Sequence, residues 1–449
     1  GVDQLLHLLY GDRIRFALAL GQVCSLNPAY GAVGVDCTLC TEGNTGALLL
    51  CAAVRLLTCI TAVVRVADFT NKGAKITLEA EVKDIDFDKK VVHYIKKDGT
   101  ELTEDYDKLI LATGSLPISP NVAGKDLNGI HFLKLFQDGQ DVDKEISAEE
   151  VKNVAVIGAG YIGVEIAEAA KRRGKNVLLF DAADRSLSTH YDKAFTDLMD
   201  KNLADHGIEN HFGELVTEYK GNDQNHVTQV VTAEGEYDVD LVINAIGFRP
   251  NNSLGKDHLR LFKNGAYLVD RYGQTSDKNV YAVGDCATIY SNALDKMTYI
   301  ALASNAVRSG IVAAHNLAGT KLESVGVQGS NGINIWDLKM VSTGLSVEAA
   351  KKFGLDVEYT DFEDLQKPAF MPKDVNAEVK IRIVYEKESR RIVGAQLAST
   401  EDVSMAIHMF SLAIQEHVTI DKLSLLDIFF LPHFNQPYNY ITMAALSAK

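Results

Sequence analysis

Basic residues are in short supply. Lys and Arg number 45 against 60 Asp and Glu, leaving a net charge of −15. That balance argues against nucleic acid or an anionic membrane surface as the main partner. Cysteine is also sparse. Six in 449 residues do not make a disulfide scaffold, so a reducing cytoplasm is the expected setting. Lysine is absent from residues 1–66, although the remainder is lysine-rich, and that stretch holds five of the six cysteines: Cys24, Cys37, Cys40, Cys51 and Cys59. Cys37-x-x-Cys40 has redox or metal spacing, but without a second pair or a nearby histidine it carries no metal assignment. Only one long apolar run occurs, Ala47–Val64, interrupted by Arg55, Thr58 and Thr61. An arginine near its middle speaks against a bilayer span. No N-terminal targeting signal is visible. What remains is an ordinary globular composition, 47% hydrophobic and 23% charged, long enough for about three domains.

The most informative stretch is Asn153–Glu165. Four of the five residues Asn153–Ile157 are apolar, as in a strand buried on both faces. Gly158, Gly160 and Gly163 follow at G-x-G-x-x-G spacing, then Ile162, Ile166 and Ala170 recur at helical intervals up to Gly174. A second apolar run, Asn176–Phe180, ends in Asp181. Each part has a task in a dinucleotide site. Gly158 permits the tight turn, Gly160 lets backbone approach a pyrophosphate, and Gly163 lets helix and strand pack closely. The helix N-terminus offers free N–H groups and a positive dipole end. Asp181 can accept from a ribose 2′-OH and would repel a 2′-phosphate, which favours NAD(H) over NADP(H). A bare glycine triplet is weak evidence; strand, glycines, helix, strand and acid together are strong.

Elsewhere the chain reads regularly from Lys75 onward. Ile76–Val82, Val91–Tyr94 and Leu109–Leu111 are predicted strands, with Lys97-Asp98-Gly99 as a hairpin turn. Thr113 and Gly114 sit just past a strand, where small residues let a cofactor near the backbone. Pro117 and Pro120 mark a crossing. The strand at Asp240–Ile246 closes on Gly247, Gly265–Asp270 reads as a short strand, and Val280–Val283 delivers Asp285 immediately after Gly284. Leu302–Leu317 is an amphipathic helix. The last segment mixes strands (Val379–Val384, Ile392–Leu397) with helices (Ser404–Glu416, Asp421–Leu426). It ends in Phe429, Phe430, Phe434, Tyr438 and Tyr440, a cluster compatible with either core or interface. Residues 1–66 show no strand–glycine–helix signature.

Ala112-Thr113-Gly114, the Gly158–Gly163 triplet and Thr275-x-x-x-x-Val280-Tyr281-Ala282-Val283-Gly284-Asp285 together resemble the two-dinucleotide flavoprotein reductases. Gly326–Gly332, Met340–Gly344 and Phe429–Tyr440 narrow the resemblance to the NADH oxidases of lactic acid bacteria, the water-forming branch of the NADH peroxidase and coenzyme A disulfide reductase family. It runs from about Asp68 to Lys449. The resemblance implies an α/β fold with two Rossmann-like dinucleotide-binding domains and a C-terminal α+β dimerisation domain. The FAD domain would be split over 1–120 and 250–325, the NAD domain would cover 121–249 and the dimerisation domain 326–449. The cofactors would be FAD and NADH, the acceptor O2, the assembly a homodimer.

By the same resemblance, Asp285 hydrogen-bonds the flavin's ribityl chain beside Gly284, and Thr113 and Gly114 line the adenine side. The helix starting at Leu302 and Ala303 points its positive end at the flavin, which stabilises the anionic reduced ring. Lys134 matches a position near the flavin. Tyr161 resembles a ring that covers the flavin until NADH displaces it, Ile162 and Gly247 line the NAD site, and Glu165 contacts the nicotinamide end. The family's redox cysteine and first FAD phosphate loop have no counterpart in residues 1–66, so no catalytic residue is assigned. Water is the expected product, and hydrogen peroxide if no redox cysteine exists. NADH peroxidase and coenzyme A disulfide or persulfide reductase are the competing activities. The latter carry a tyrosine where Phe430 stands. A non-catalytic NAD-binding redox sensor is the alternative from another class.

Overall fold

The computed structural model describes residues 16–19 and 74–449. The expectations for the cysteine-rich segment and the Ala47–Val64 run lie outside the described residues.

The run of apolar residues at Asn153–Ile157 forms the central strand of a five-stranded, all-parallel sheet. Its order is Glu209–Phe212, Asn176–Asp181, Asn153–Ile157, Leu241–Asn244, Ile130–Phe132. Val154–Ile157 are buried, which a strand covered on both faces requires. One cover is the Tyr161–Arg172 and Lys193–Asp205 helices. The other is an antiparallel meander, Glu218–Gly221, Val227–Val231 and Glu236–Asp238, whose Tyr219, Val227 and Val230 pack on Ala155, Leu178 and Phe180.

Segments flanking this unit in sequence meet again in space. Lys108–Leu111 runs parallel to Val280–Ala282 on one side and to Phe16–Ala19 on the other. Phe16–Ala19 is a strand that the sequence pattern did not reveal. Ser115–Pro117 and Phe248–Pro250 pair antiparallel where the chain crosses between units. The C-terminal part is a five-stranded antiparallel sheet, Asn331–Ile335, Leu338–Gly344, Ile392–Ser399, Glu378–Glu386 and Val357–Leu365. The Ala406–Gln415 and Tyr440–Leu446 helices pack against it.

Several predicted elements shift. The strand expected at Ile76–Val82 is Ala80–Asp86, because Glu79 adopts a left-handed φ of 50° that interrupts the ladder. Gly265–Asp270 is a turn in which only Tyr267 bridges, to Leu261 and Ala287. The helix expected over Asp421–Leu426 is Ile420–Leu423, capped by Thr419. The hairpin turn stands where expected, with Gly99 at φ 85° and Asp98 accepting from the Thr100 N–H at 2.9 Å. In the C-terminal aromatic cluster only Tyr440 joins the core. Phe429, Phe430, Phe434 and Tyr438 are 65, 50, 58 and 75% exposed in the single chain. Among the described residues no helix is long and apolar enough to cross a membrane.

Candidate dinucleotide sites

The loop after Asn153–Ile157 lies at the carboxyl edge of the parallel sheet, where open α/β sheets bind their ligands. Its three glycines have separable reasons. Gly158 has φ 102°, and a Cβ there would sit 2.5 Å from the Ala245 carbonyl oxygen. A Cβ on Gly163 would lie 1.7 Å from the Gly158 oxygen, so helix and strand could not approach. Gly160 differs. Its φ is −75° and a Cβ would meet nothing within 4 Å. Neither conformation nor packing among the described residues demands glycine there, which is compatible with close approach by a ligand. Gly160 is also the N-cap of the Tyr161–Arg172 helix and offers no side-chain acceptor, so the first-turn N–H groups stay available.

Asp181 ends the neighbouring strand and folds back over this loop. Its Oδ2 accepts from the Ala159 N–H at 2.6 Å and its Oδ1 from the Ala183 N–H at 2.7 Å. The carboxylate is thus fixed at the loop by backbone donors and keeps lone pairs to spare. Tyr161 is the first residue of the helix. Its hydroxyl donates to Asn331 Oδ1 and lies 3.1 Å from the Tyr191 hydroxyl, while its ring contacts His190 at 4.7 Å. Burial holds the Tyr161 phenol well above its ordinary pKa and lowers that of His190. One turn on, Glu165 is pushed up to about 7, by burial first and the charge of Glu168 second. Ile162 packs against the hydrophobic core of this unit. Gly247, at φ 106°, turns the chain after the Leu241–Asn244 strand.

A second group gathers where Lys108–Leu111 and Val280–Ala282 end. Gly114 has φ 68° and open space at its missing Cβ. Thr113 Oγ1 donates to the Asn251 carbonyl at 2.5 Å, and the Asn251 N–H returns a bond to the Gly114 oxygen at 2.9 Å. Gly284, φ 71°, donates its N–H to Ser309 Oγ at 3.1 Å. Asp285 follows with its side chain 24% exposed. Its carboxylate Oδ2 accepts from Ser115 Oγ at 2.9 Å and from Lys134 Nζ at 3.3 Å. Facing Gly284 and Asp285 across a crevice is the Ala303–Leu317 helix, with Leu302 as N-cap. Leu302 cannot cap with its side chain, unlike Ser346, Thr419 and Asn439 at the helices of the C-terminal part.

Lys134 joins the two groups. It follows the Ile130–Phe132 strand at the carboxyl edge of the five-stranded sheet, yet its ammonium reaches Ser115 and Asp285. The expected residues therefore fall into two clusters, Gly158 to Glu165 with Asp181, and Thr113, Gly114, Gly284, Asp285, Leu302 and Ala303, with Lys134 between them. A cavity of about 410 Å³ lined by Asn153, Lys171, Asn176 and Glu209 opens at the amino ends of the same strands. That is the wrong edge of the sheet for a dinucleotide.

Sequence reading missed Tyr191, and it gave Ser115, Asn331 and Ser342, which lie within the stretches it singled out, no role of their own. The Ser342 hydroxyl donates to the same Asn331 Oδ1 that receives Tyr161, at 3.0 Å. No local pattern marks such partners, since Tyr161 and Asn331 are 170 residues apart. Cys286 is the cysteine of the described residues. It is fully buried, lies within hydrogen-bonding reach of the Leu111 and Val283 carbonyls, and burial pushes its thiol up. A neutral, inaccessible thiol is a packing residue, not a nucleophile.

Two nucleotide-type clusters on parallel sheets, with an antiparallel C-terminal sheet packed beside them, define a dinucleotide-dependent oxidoreductase of mixed α/β fold. Residues 22–310 match the pyridine nucleotide-disulphide oxidoreductase family, and residues 332–439 match its dimerisation domain. The chain belongs to that family. It is 64% identical over 383 residues to the NADH oxidase of Lactococcus lactis subsp. cremoris, covering 85% of this chain and 86% of that one. To the NADH oxidase of Streptococcus pyogenes it is 56% identical over 388 residues, 84% of each chain. Among solved structures, the water-forming NADH oxidase from Lactobacillus brevis bound to NADH superposes with a TM-score of 0.84 at 34% identity, covering 89% of this chain and 88% of that one.

Proposed function

We propose that the chain is an NADH oxidase: it binds NADH at the Gly158–Gly163 loop and FAD at the Gly114–Asp285 cluster, and passes electrons to O2 to give water. The observation that supports this reading is Lys134, which leaves the edge of the five-stranded sheet beside the first cluster while its ammonium bonds Ser115 and Asp285 of the second. The residues fit a flavin. Gly114 and Gly160 face open space, and Asp285 Oδ1 has no hydrogen-bond partner among the described residues, leaving it for a ribityl hydroxyl. FAD, when bound, supplies a hydride acceptor and an oxygen-reactive reduced state.

The chain's own residues do the rest. The free N–H groups at the start of Tyr161–Arg172 bind the NADH pyrophosphate, and Asp181 accepts from the ribose. Glu165 reaches the nicotinamide end in a half-neutral state near pH 7. Tyr161 closes the site to water until NADH enters. The N-terminus of Ala303–Leu317 places a positive dipole end at the flavin. A second copy of the chain covers the exposed Phe429, Phe430, Phe434 and Tyr438, consistent with the match to a dimerisation domain.

The test is spectroscopic and stoichiometric. Purified protein should be yellow, bleach with NADH without air, and recover its colour in air. Reduction of O2 to water takes four electrons, so two NADH should disappear per O2, with no peroxide detected. Colourless protein that still binds NADH would overturn the oxidase reading in favour of a non-catalytic NAD-binding protein. One NADH per O2 with stoichiometric peroxide would overturn the product.

A further inference from the structure

Ser115 is an unassigned residue at the join between the clusters. It is 6% exposed, and its strand pairs with Phe248–Pro250 so that Ser115 stands opposite Pro250. Its Oγ lies 2.8 Å from Lys134 Nζ and 2.9 Å from Asp285 Oδ2. The direction of both bonds follows from chemistry. An ammonium only donates and an ionised carboxylate only accepts, so the hydroxyl accepts from Lys134 and donates to Asp285. Among the described residues the serine proton has no other acceptor to serve. The direct Lys134–Asp285 contact, 3.3 Å, is longer than either bond the hydroxyl makes to those two groups. Asp285 is also held from behind, where its carbonyl accepts from the Tyr299 hydroxyl at 2.9 Å. Oδ2 is held by both donors and the main chain is anchored, while Oδ1 has no hydrogen-bond partner among the described residues.

We propose that Ser115 is a positioning residue for the flavin: it fixes the rotation of the Asp285 carboxylate, turning Oδ1 toward the ribityl hydroxyls, and locks Lys134 against it. This rests on the flavin assignment above and deepens it. Ser115 itself does not touch the cofactor. Because Lys134 issues from the edge of the NAD-type sheet and Ser115 and Asp285 from the other unit, the same hydroxyl fixes the distance between the two dinucleotide sites.

The test is a double-mutant cycle on the holoprotein. FAD affinity is read from the fluorescence of flavin released on dilution, with far-ultraviolet thermal melts as the control for folding. Ser115→Ala removes hydrogen bonds to two charged groups and should weaken FAD binding about tenfold. In an Asp285→Asn background, where the carboxylate is gone, the same change should alter FAD affinity less than about twofold, because coupled residues do not add. Lys134→Met, at a side chain 30% exposed, provides a second cycle with Ser115→Ala should that variant melt early. Wild-type FAD affinity in Ser115→Ala, or effects of Ser115→Ala and Asp285→Asn that multiply in full, would overturn the role of Ser115. Failure of the unaltered protein to hold FAD would instead overturn the flavin assignment, so the two failures are distinguishable.

Discussion

Replacing Gly160 and Gly163 one at a time by alanine separates ligand approach from packing. At Gly163 the new methyl would lie 1.7 Å from the Gly158 carbonyl oxygen and 2.9 Å from its carbon, both backbone atoms. No rotamer change relieves that. The Tyr161–Arg172 helix must move off the Asn153–Ile157 strand, and overpacking of this kind costs about 1–3 kcal/mol. At Gly160 nothing lies within 4 Å and φ is −75°, so alanine fits without strain. It is a poorer N-cap than glycine by roughly 0.5–1 kcal/mol, while lower chain entropy in the unfolded state offsets roughly 0.4–1 kcal/mol. Stability should therefore stay within about 0.5 kcal/mol of the parent. NADH binding should not. A methyl in the pyrophosphate path separates the phosphate from helix N–H donors, and losing one charge-assisted bond is worth about 1.5–3 kcal/mol, tenfold or more in KM. The assay pairs melts without nucleotide with NADH titrations. Gly163→Ala should lose several degrees; Gly160→Ala should keep its melting point and lose NADH. If Gly160→Ala binds NADH normally, the pyrophosphate does not cross that residue, and the assignment of the loop fails.

Asp181→Arg should cut kcat/KM for NADH by tenfold or more and admit NADPH, since the carboxylate that would repel a 2′-phosphate is replaced by a cation; unchanged coenzyme preference in steady-state assays would remove Asp181 from the site. Glu165 has a folded pKa raised from 4.5 to about 7, so the folded state binds its proton more tightly than the unfolded chain does. Its contribution to stability is therefore full below about pH 4.5 and is lost as pH rises through about 7. Melts across that window should flatten in Glu165→Gln, and an unchanged slope would show that the carboxyl is not perturbed. Phe429→Ser with Tyr438→Ser places hydroxyls on side chains that are 65 and 75% exposed in the single chain. The pair should halve the sedimenting mass without lowering the monomer's melting point, whereas a retained dimer would put the subunit contact elsewhere.

Local chemistry made half of this molecule legible. Gly158 and Gly163 are glycines for conformational and steric reasons that act within one strand–turn–helix unit, so their spacing announces them. Val154–Ile157 read as a strand because burial on both faces leaves no polar position. The helix at Ala303–Leu317 is periodic enough to place within a residue. Failures came where a neighbour distant in sequence decides. Gly265–Asp270 has strand-like residues, yet only Tyr267 finds bridging partners. The C-terminal aromatics could be core or interface by composition, and exposure in the folded chain, not hydrophobicity, divides Tyr440 from Phe429. Phe16–Ala19 carries no recognisable motif and is defined by pairing with Lys108–Leu111.

The same limit explains why the C-terminal part reads as a domain of its own in sequence and yet shares a core with the parallel unit in the structure. Ile333, Ile335, Met340 and Ala398 share one core with Val154, Val164 and Leu203 of the NAD-type unit. Polar ties cross the same boundary. Asp192, 2% exposed, accepts from Gln396 Nε2 at 2.7 Å and from the Val347 and Glu348 N–H groups, with Arg382 at 3.4 Å. A carboxylate buried to that degree is tolerable only because those partners exist. They all belong to residues beyond 340, so the residue that precedes the Lys193–Asp205 helix is held by the C-terminal part of the chain. Glu168 and Tyr161 repeat the arrangement through the Trp336 N–H and Asn331. The part of the chain that carries the exposed aromatic face is therefore tied to the helix bearing Glu165 at its first residue and again two turns on, at Glu168. Whatever covers that face acts on a part of the chain that packs directly against the helix bearing Tyr161 and Glu165.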